Sequence, residues 1–268
     1  MMSNERPPDS GRLTLRSMRR TALVAGVLYL ITFASSIPAV FLLGPVLTDP
    51  DFIIGGAGAE QVRLGALFDI VNCLTAIGTA VALYSVVKRQ HEGAAIGFVA
   101  SRLFEAAVLM IGTVSILSIV TLQQPGATGA EASVLVTLQQ ALVAVRDWSF
   151  ALGTGVPALN AALLGYLMYR SRLVPRAIPV LGLIGAPLFA SWVVGYILGI
   201  TDGGSAWHAI AVAPIFIWEL SIGLWMTFKG FRKEAPLMVE AAAEDASVAD
   251  VASASRPSIG VATPAGAA

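Results

Sequence analysis

Catalytic and redox residue types are scarce in this chain. There is one cysteine, Cys73, so no intrachain disulfide framework can form. There are two histidines, His91 and His208, and they fall on opposite sides of the topology derived below, which excludes a shared metal ion. No H-E-x-x-H, C-x-x-C, P-loop or G-x-S-x-G motif occurs. A serine nucleophile would need lysine or a carboxylate as its base, and no lysine falls within an apolar stretch. Charge is scarce too: 13% of the 268 residues are charged, against about a quarter in an ordinary soluble domain. Formal net charge is zero, so nothing in the overall balance points to nucleic acid. The sequence implies no cofactor and no metal.

What is abundant is apolar sequence, 56% of the chain. It is gathered into six stretches, about 21–43, 64–87, 94–121, 148–169, 178–200 and 208–228. Each is long enough, at ~1.5 Å rise per residue, to cross a hydrocarbon layer of ~30 Å as a helix. A soluble fold of this size could not hide so much apolar surface. The expected fold is all-α, a polytopic bundle of six transmembrane helices whose first partner is the lipid bilayer. A homo-oligomer or another membrane partner is left open. The N-terminal apolar run continues through Phe41, Leu42 and Leu43, longer than the apolar region of a signal peptide, and reads as the first span.

Basic residues alternate from side to side. Arg6, Arg12, Arg16, Arg19 and Arg20 precede the first span, Lys88 and Arg89 follow the second, and Arg170, Arg172 and Arg176 follow the fourth. Lys229, Arg232, Lys233 and Arg256 follow the sixth. The other side carries only Arg63 and Arg146, beside Asp49, Asp51, Glu60, Glu131 and Asp202. The bias places both termini in the cytoplasm. Tyr84, Tyr166, Tyr169 and Trp225 near one set of span ends, and Trp148, Tyr196 and Trp207 near the other, fit interfacial belts.

Three regions follow: a flexible cytoplasmic lead over 1–18, a membrane domain over 19–233, and a disordered cytoplasmic tail over 234–268. The tail is rich in Ala, Ser and acidic residues and lacks aromatics. In the long connection after the third span, Gln123-Gln124-Pro125-Gly126 breaks the helix, and Glu131–Val145 then shows helical apolar spacing. Because Glu131–Tyr169 as one helix would overshoot the bilayer, a short separate interfacial helix is expected there. Pro38, Pro157, Pro187 and Pro214 lie within spans. Gly153-Thr154-Gly155-Val156-Pro157 is the strongest candidate for unwinding, and Gly195 and Gly199 form a G-x-x-x-G suited to close helix approach.

Ionisable residues inside a bilayer are costly and mark candidate sites. Arg102 and Glu105 share one face of the third span, with Arg102 roughly 12 Å from its cytoplasmic end. Glu219 lies at a similar depth in the sixth span. Two carboxylates around one guanidinium make a helix brace or, where one is left unpaired, a proton-carrying site. Asp69 and Asn72 form a secondary polar face on the second span, Asp69 roughly 10 Å from its outer end, with Arg146 and Asp147 at the outer interface as an anchor and candidate partners for Asp69.

Several of these residues also stand in short motifs. Arg102-Leu103-Phe104-Glu105-Ala106, Trp218-Glu219-Leu220-Ser221-Ile222-Gly223 with Lys229-Gly230-Phe231-Arg232, Asp49-Pro50-Asp51-Phe52-Ile53 and Arg172-Leu173-Val174-Pro175-Arg176 occur in that span context. Together they resemble the bacterial membrane family catalogued as domain of unknown function 4386. The resemblance implies a multi-pass protein of the bacterial inner membrane and implies no activity. On the residues alone, a structural or accessory role comes first. A small-solute or proton-coupled transporter using Arg102, Glu105 and Glu219 is second, and an intramembrane lipid-modifying enzyme third.

Overall fold

The computed structural model describes residues 14–254, and within them every regular element is an α-helix. The helices are α1 (Leu15–Thr48), α2 (Ala59–Val87), α3 (Glu92–Thr121), α4 (Gly129–Ser171), α5 (Ala177–Ile197), α6 (Ala206–Phe228) and α7 (Pro236–Ala254). The first six are long and apolar enough to cross a membrane. Each packs against its neighbours in sequence, and α6 closes on α1, so the bundle is a ring of six helices in chain order. The chain is therefore a multi-pass membrane protein. Exposed Leu67, Leu74, Val81, Ile111 and Val114 cover its flanks, as a lipid-facing surface requires.

Small residues set how closely the helices approach. A Cβ on Gly26 of α1 would stand 2.5 Å from the Thr227 backbone nitrogen of α6, so only glycine permits that crossing. The G-x-x-x-G of α5 plays no such part. Gly199 takes φ +68° just past the helix end, and the Ile200 N–H returns to the Gly195 carbonyl at 2.8 Å, so this pair shapes the exit from α5.

The separate interfacial helix expected over Glu131–Val145 is replaced by one continuous 43-residue α4. At the helical rise it measures about 65 Å, well beyond a bilayer. Its projecting turns are not left bare. Leu135 packs with Phe52, Ile53, Ile116 and Ile119 in a second apolar cluster at the loop end of the bundle. Gln139, fully buried, accepts from the Ile53 N–H at 2.8 Å and donates to the Asp49 carbonyl at 2.6 Å. The α1–α2 loop thus supports the helix that the length argument would have ended. Nor does Gly153–Pro157 unwind: α4 runs through Pro157, with Gly153 seated against Leu109 of α3.

The terminal regions differ from expectation as well. Thr14 caps α1 through a reciprocal pair with Ser17, so helix begins inside the expected flexible lead, whose first thirteen residues lie outside the described region. Pro236–Ala254, expected to be disordered, forms α7. Pro236 opens it in the position where a missing N–H costs nothing, and alanine is the best helix former. Leu237, Met238 and Ala241 are buried in the same core cluster as Met18 and Ala22, and the Leu15 N–H donates to Asp245 Oδ2 at 3.0 Å. Residues 255–268 of the expected tail lie outside the described region.

Candidate functional site

Arg102, Glu105 and Glu219 meet. Arg102 leaves the buried face of α3 and is 4% exposed, and Glu105, one turn on, is 7% exposed. Arg102 Nη1 donates to Glu105 Oε2 at 3.0 Å, and Nη2 to Glu219 Oε1 of α6 at 2.5 Å. The same Nη2 reaches Tyr29 Oη of α1 at 3.3 Å, and the guanidinium lies 5.6 Å over the Tyr29 ring and 5.9 Å over Phe98. One cation therefore ties three helices.

Glu105 has a further partner that the sequence does not single out. Asn160 of α4, fully buried, donates from Nδ2 to Glu105 Oε2 at 2.7 Å, and its carbonyl is hydrogen-bonded to Ser101. Asn160 sits in an Ala/Leu-rich run with no periodic signal, so only the α3–α4 packing reveals it. Its contact holds Glu105 in place. Glu219 differs: its side chain keeps 20% of its surface exposed. Oε1 is held by Arg102, which leaves Glu219 as the carboxylate with room for another partner.

A second ion pair sits nearer the loop end. Arg146 Nη2 lies 2.9 Å from Asp69 Oδ2, joining α4 to α2, and Thr113 of α3 donates to the same oxygen at 3.3 Å. Gly112 makes room for this arginine, since a Cβ there would stand 3.0 Å from Arg146 Cδ. Asp147 is not part of the pair; it is exposed on the outer side of α4. Asn72 is half-buried and points toward the same interior space. His91 caps α3, accepting from the Ala94 N–H, while His208 lies at the start of α6, so the two stand at opposite ends of the bundle.

Between the two ion pairs is a cavity of about 370 Å³, lined from α1, α2, α3, α4 and α6. Asp69, Asn72, Arg102, Glu105, Arg146 and Glu219 all contribute to its wall. The remaining wall is mostly apolar and includes Phe33, Ile37, Val40, Leu109, Phe150 and Phe216. Phe33 and Phe216 meet edge to face at 5.0 Å across the α1–α6 seam. Ile37, Val40, Phe150 and Phe216 are also exposed on the outer surface, so the mouth has an apolar rim. Among the described residues no cluster of three or more metal-ligating side chains occurs.

Comparison with known proteins gives one positive result: the family model described as "Domain of unknown function (DUF4386)" matches residues 24–230, the span that builds the bundle and both ion pairs. No curated protein and no solved structure matches.

Proposed function

The chain belongs to the DUF4386 family of membrane proteins, and on that footing we propose that it is a transporter that binds a small solute in the cavity between its two buried ion pairs. The observation that carries this reading is the cavity itself. An ion pair that only braced α3 to α6 would gain from being dry and closed, because open space beside it removes packing and gives nothing back. Here about 370 Å³ adjoins both pairs, and Glu219 is partly exposed beside it. Five ionisable side chains around one space in mid-bundle form a polar solute site of the kind that transporters place between helices near the membrane midplane.

The bracing role that the sequence ranks first accounts for the contacts of Arg102 and leaves the cavity without a purpose. A lipid-modifying enzyme would need an activated nucleophile. Cys73, Ser36 and Thr154 reach the wall, but no histidine or lysine lines it, and each of its three carboxylates is paired with an arginine, which weakens it as a base. In this reading the protein resides in a bacterial inner membrane with both termini cytoplasmic, supported by Arg19, Lys229 and Lys233 meeting on one face and by Arg172, Arg176 and Arg232 meeting beside them.

The test is a thermal-shift screen of small cationic, anionic and neutral solutes on the purified protein and on Ser36→Phe, which fills the cavity from α1. A solute bound there raises the wild-type transition and leaves that of Ser36→Phe unmoved. If no solute shifts the wild type, or if every active solute shifts both proteins equally, the cavity is not a transport site.

A further inference from the structure

Building on the transport reading, we infer that the cavity takes a lipophilic monovalent organic cation, an ammonium or similar group on an apolar body. The cation enters sideways from the membrane interior and pairs with Glu219.

Charge is the first argument. The wall carries three carboxyl groups (Asp69, Glu105, Glu219) and two guanidinium groups (Arg102, Arg146). Asp69 is matched by Arg146 at 2.9 Å. Arg102 contacts both glutamates, at 3.0 Å and 2.5 Å. Fully ionised, the five groups sum to one uncompensated negative charge. The other titratable neighbours, Tyr29 from α1 and Cys73 from α2, bring no positive charge, nor do the neutral Asn72, Thr113 and Asn160. α5 supplies no charged side chain at this level. An unbalanced charge in a low-dielectric interior is costly. One monovalent positive species, a proton or a cationic ligand, restores neutrality, whereas an anion would double the imbalance.

Position is the second argument. Glu105 accepts from both Arg102 and Asn160 on Oε2, and its side chain is buried. Glu219 holds Arg102 with Oε1 alone and remains partly exposed. The excess charge therefore resides where a ligand can reach it.

The third argument is the route. α1 and α6 are locked together at the end where Gly26 meets Thr227. Toward the loop end, Phe33 and Phe216 meet edge to face, and beyond them Ile37 and Val40 stand on the exposed rim. A rim of aliphatic and aromatic side chains favours an organic molecule with an apolar part over a strongly hydrated inorganic ion. The rings of Phe33 and Phe216 also suit an organic cation by cation–π attraction. A proton and the cation then compete for one charge vacancy, which couples uptake of one to release of the other.

Three probes of nearly equal shape separate the alternatives: benzyltrimethylammonium, its neutral carbon isostere neopentylbenzene, and benzenesulfonate. Their affinities for the detergent-solubilised full chain are measured by calorimetry in buffers of different ionisation heat. The cation is expected to bind at least about tenfold more tightly than the neutral isostere. It should displace about one proton, while benzenesulfonate should not bind. Glu219→Gln keeps a hydrogen-bond acceptor for Arg102 and should abolish both the charge preference and the proton release. Equal affinity for cation and isostere, or a preference for benzenesulfonate, overturns the inference. If a different solute still stabilises the wild type and not Ser36→Phe, only the assignment of a cationic substrate fails. If no solute distinguishes those two proteins, the transport reading fails with it.

Discussion

Arg102 of α3 and Glu219 of α6 are 117 residues apart in sequence and 2.5 Å apart in space, joined across the interior of a ring in which α3 and α6 are not neighbours. The contact spans the bundle, so it both ties opposite walls together and places an ion pair beside the central cavity. A structural contribution and the proposed binding role therefore fall on the same atoms, and substitutions separate them.

Removing the cation should cost most. Arg102→Ala leaves Glu105 and Glu219 facing each other without a counter-charge, and breaking a buried pair this way costs about 3–5 kcal/mol. Glu219→Gln alone should cost about 1 kcal/mol, because the amide oxygen still accepts from Nη2. The double variant Arg102→Ala with Glu219→Gln should recover part of the first loss, a coupling that reversible unfolding in mixed micelles would measure.

Asn160→Leu should be more harmful than its place in an apolar run suggests. It removes the Nδ2 donor from Glu105, which keeps Arg102, and the amide acceptor from Ser101, which keeps the Phe98 carbonyl. The expected loss is about 2 kcal/mol, the contribution of a buried hydrogen bond to a charged group. Unfolding midpoints of Asn160→Leu and Asn160→Asp check it; the acid, adding a carboxyl beside Glu105, should be the worse of the two.

Gly112→Ala tests the second pair. In an ordinary helical position this change would stabilise by about 0.5–1 kcal/mol. Here the new methyl would lie 3.0 Å from Arg146 Cδ and 3.1 Å from Ser149 Cβ, so Arg146 must shift and its contact with Asp69 lengthen. A net loss of about 1–3 kcal/mol is expected from overpacking, read as a lower unfolding midpoint than that of the wild type in mixed micelles.

α7 should behave as part of the fold. Leu237 and Met238 are buried against the end of the bundle that carries the start of α1. Leu237→Asp should lower the unfolding midpoint and expose the α1 start to protease cleavage near Arg19 and Arg20, whereas Val239→Asp, on the exposed side of α7, should do neither.

Much of this architecture is legible in the sequence because membrane helices obey one dominant constraint: an apolar run of sufficient length must satisfy its backbone internally. The six spans follow from that, and Arg102, Glu105 and Glu219 stand out because charge in hydrocarbon is rare. Three features were not legible, each because its cause is tertiary. α4 continues past the bilayer because Gln139 and Leu135 find partners in the α1–α2 loop. α7 forms because Leu237 and Met238 meet Met18 and Ala22. Asn160 and Tyr29 join the charged cluster only after α1, α3 and α4 are packed, and no spacing along the chain brings them together. The pairing of Arg146 with Asp69 was foreseeable, but Asp147 could be separated from it only by the facing of α4, which turns Arg146 inward and its neighbour out.

The central claim, that the space between the ion pairs is an accessible cavity of net negative character, is tested most directly by thiol chemistry at its wall. Cys73 is the sole cysteine, so Cys73→Ser with Ser36→Cys leaves one thiol, on the α1 side of the cavity. Its rates of modification by methanethiosulfonate ethylammonium and by the anionic ethylsulfonate reagent of similar size are compared in detergent. The account predicts ready reaction with the cationic reagent, at least about tenfold faster than with the anionic one after correction for their intrinsic rates, as expected where Glu219 leaves negative charge uncompensated. A thiol that neither reagent modifies in the folded protein would mean a dry, closed bundle in which Arg102 and Glu219 only brace, and would contradict the account.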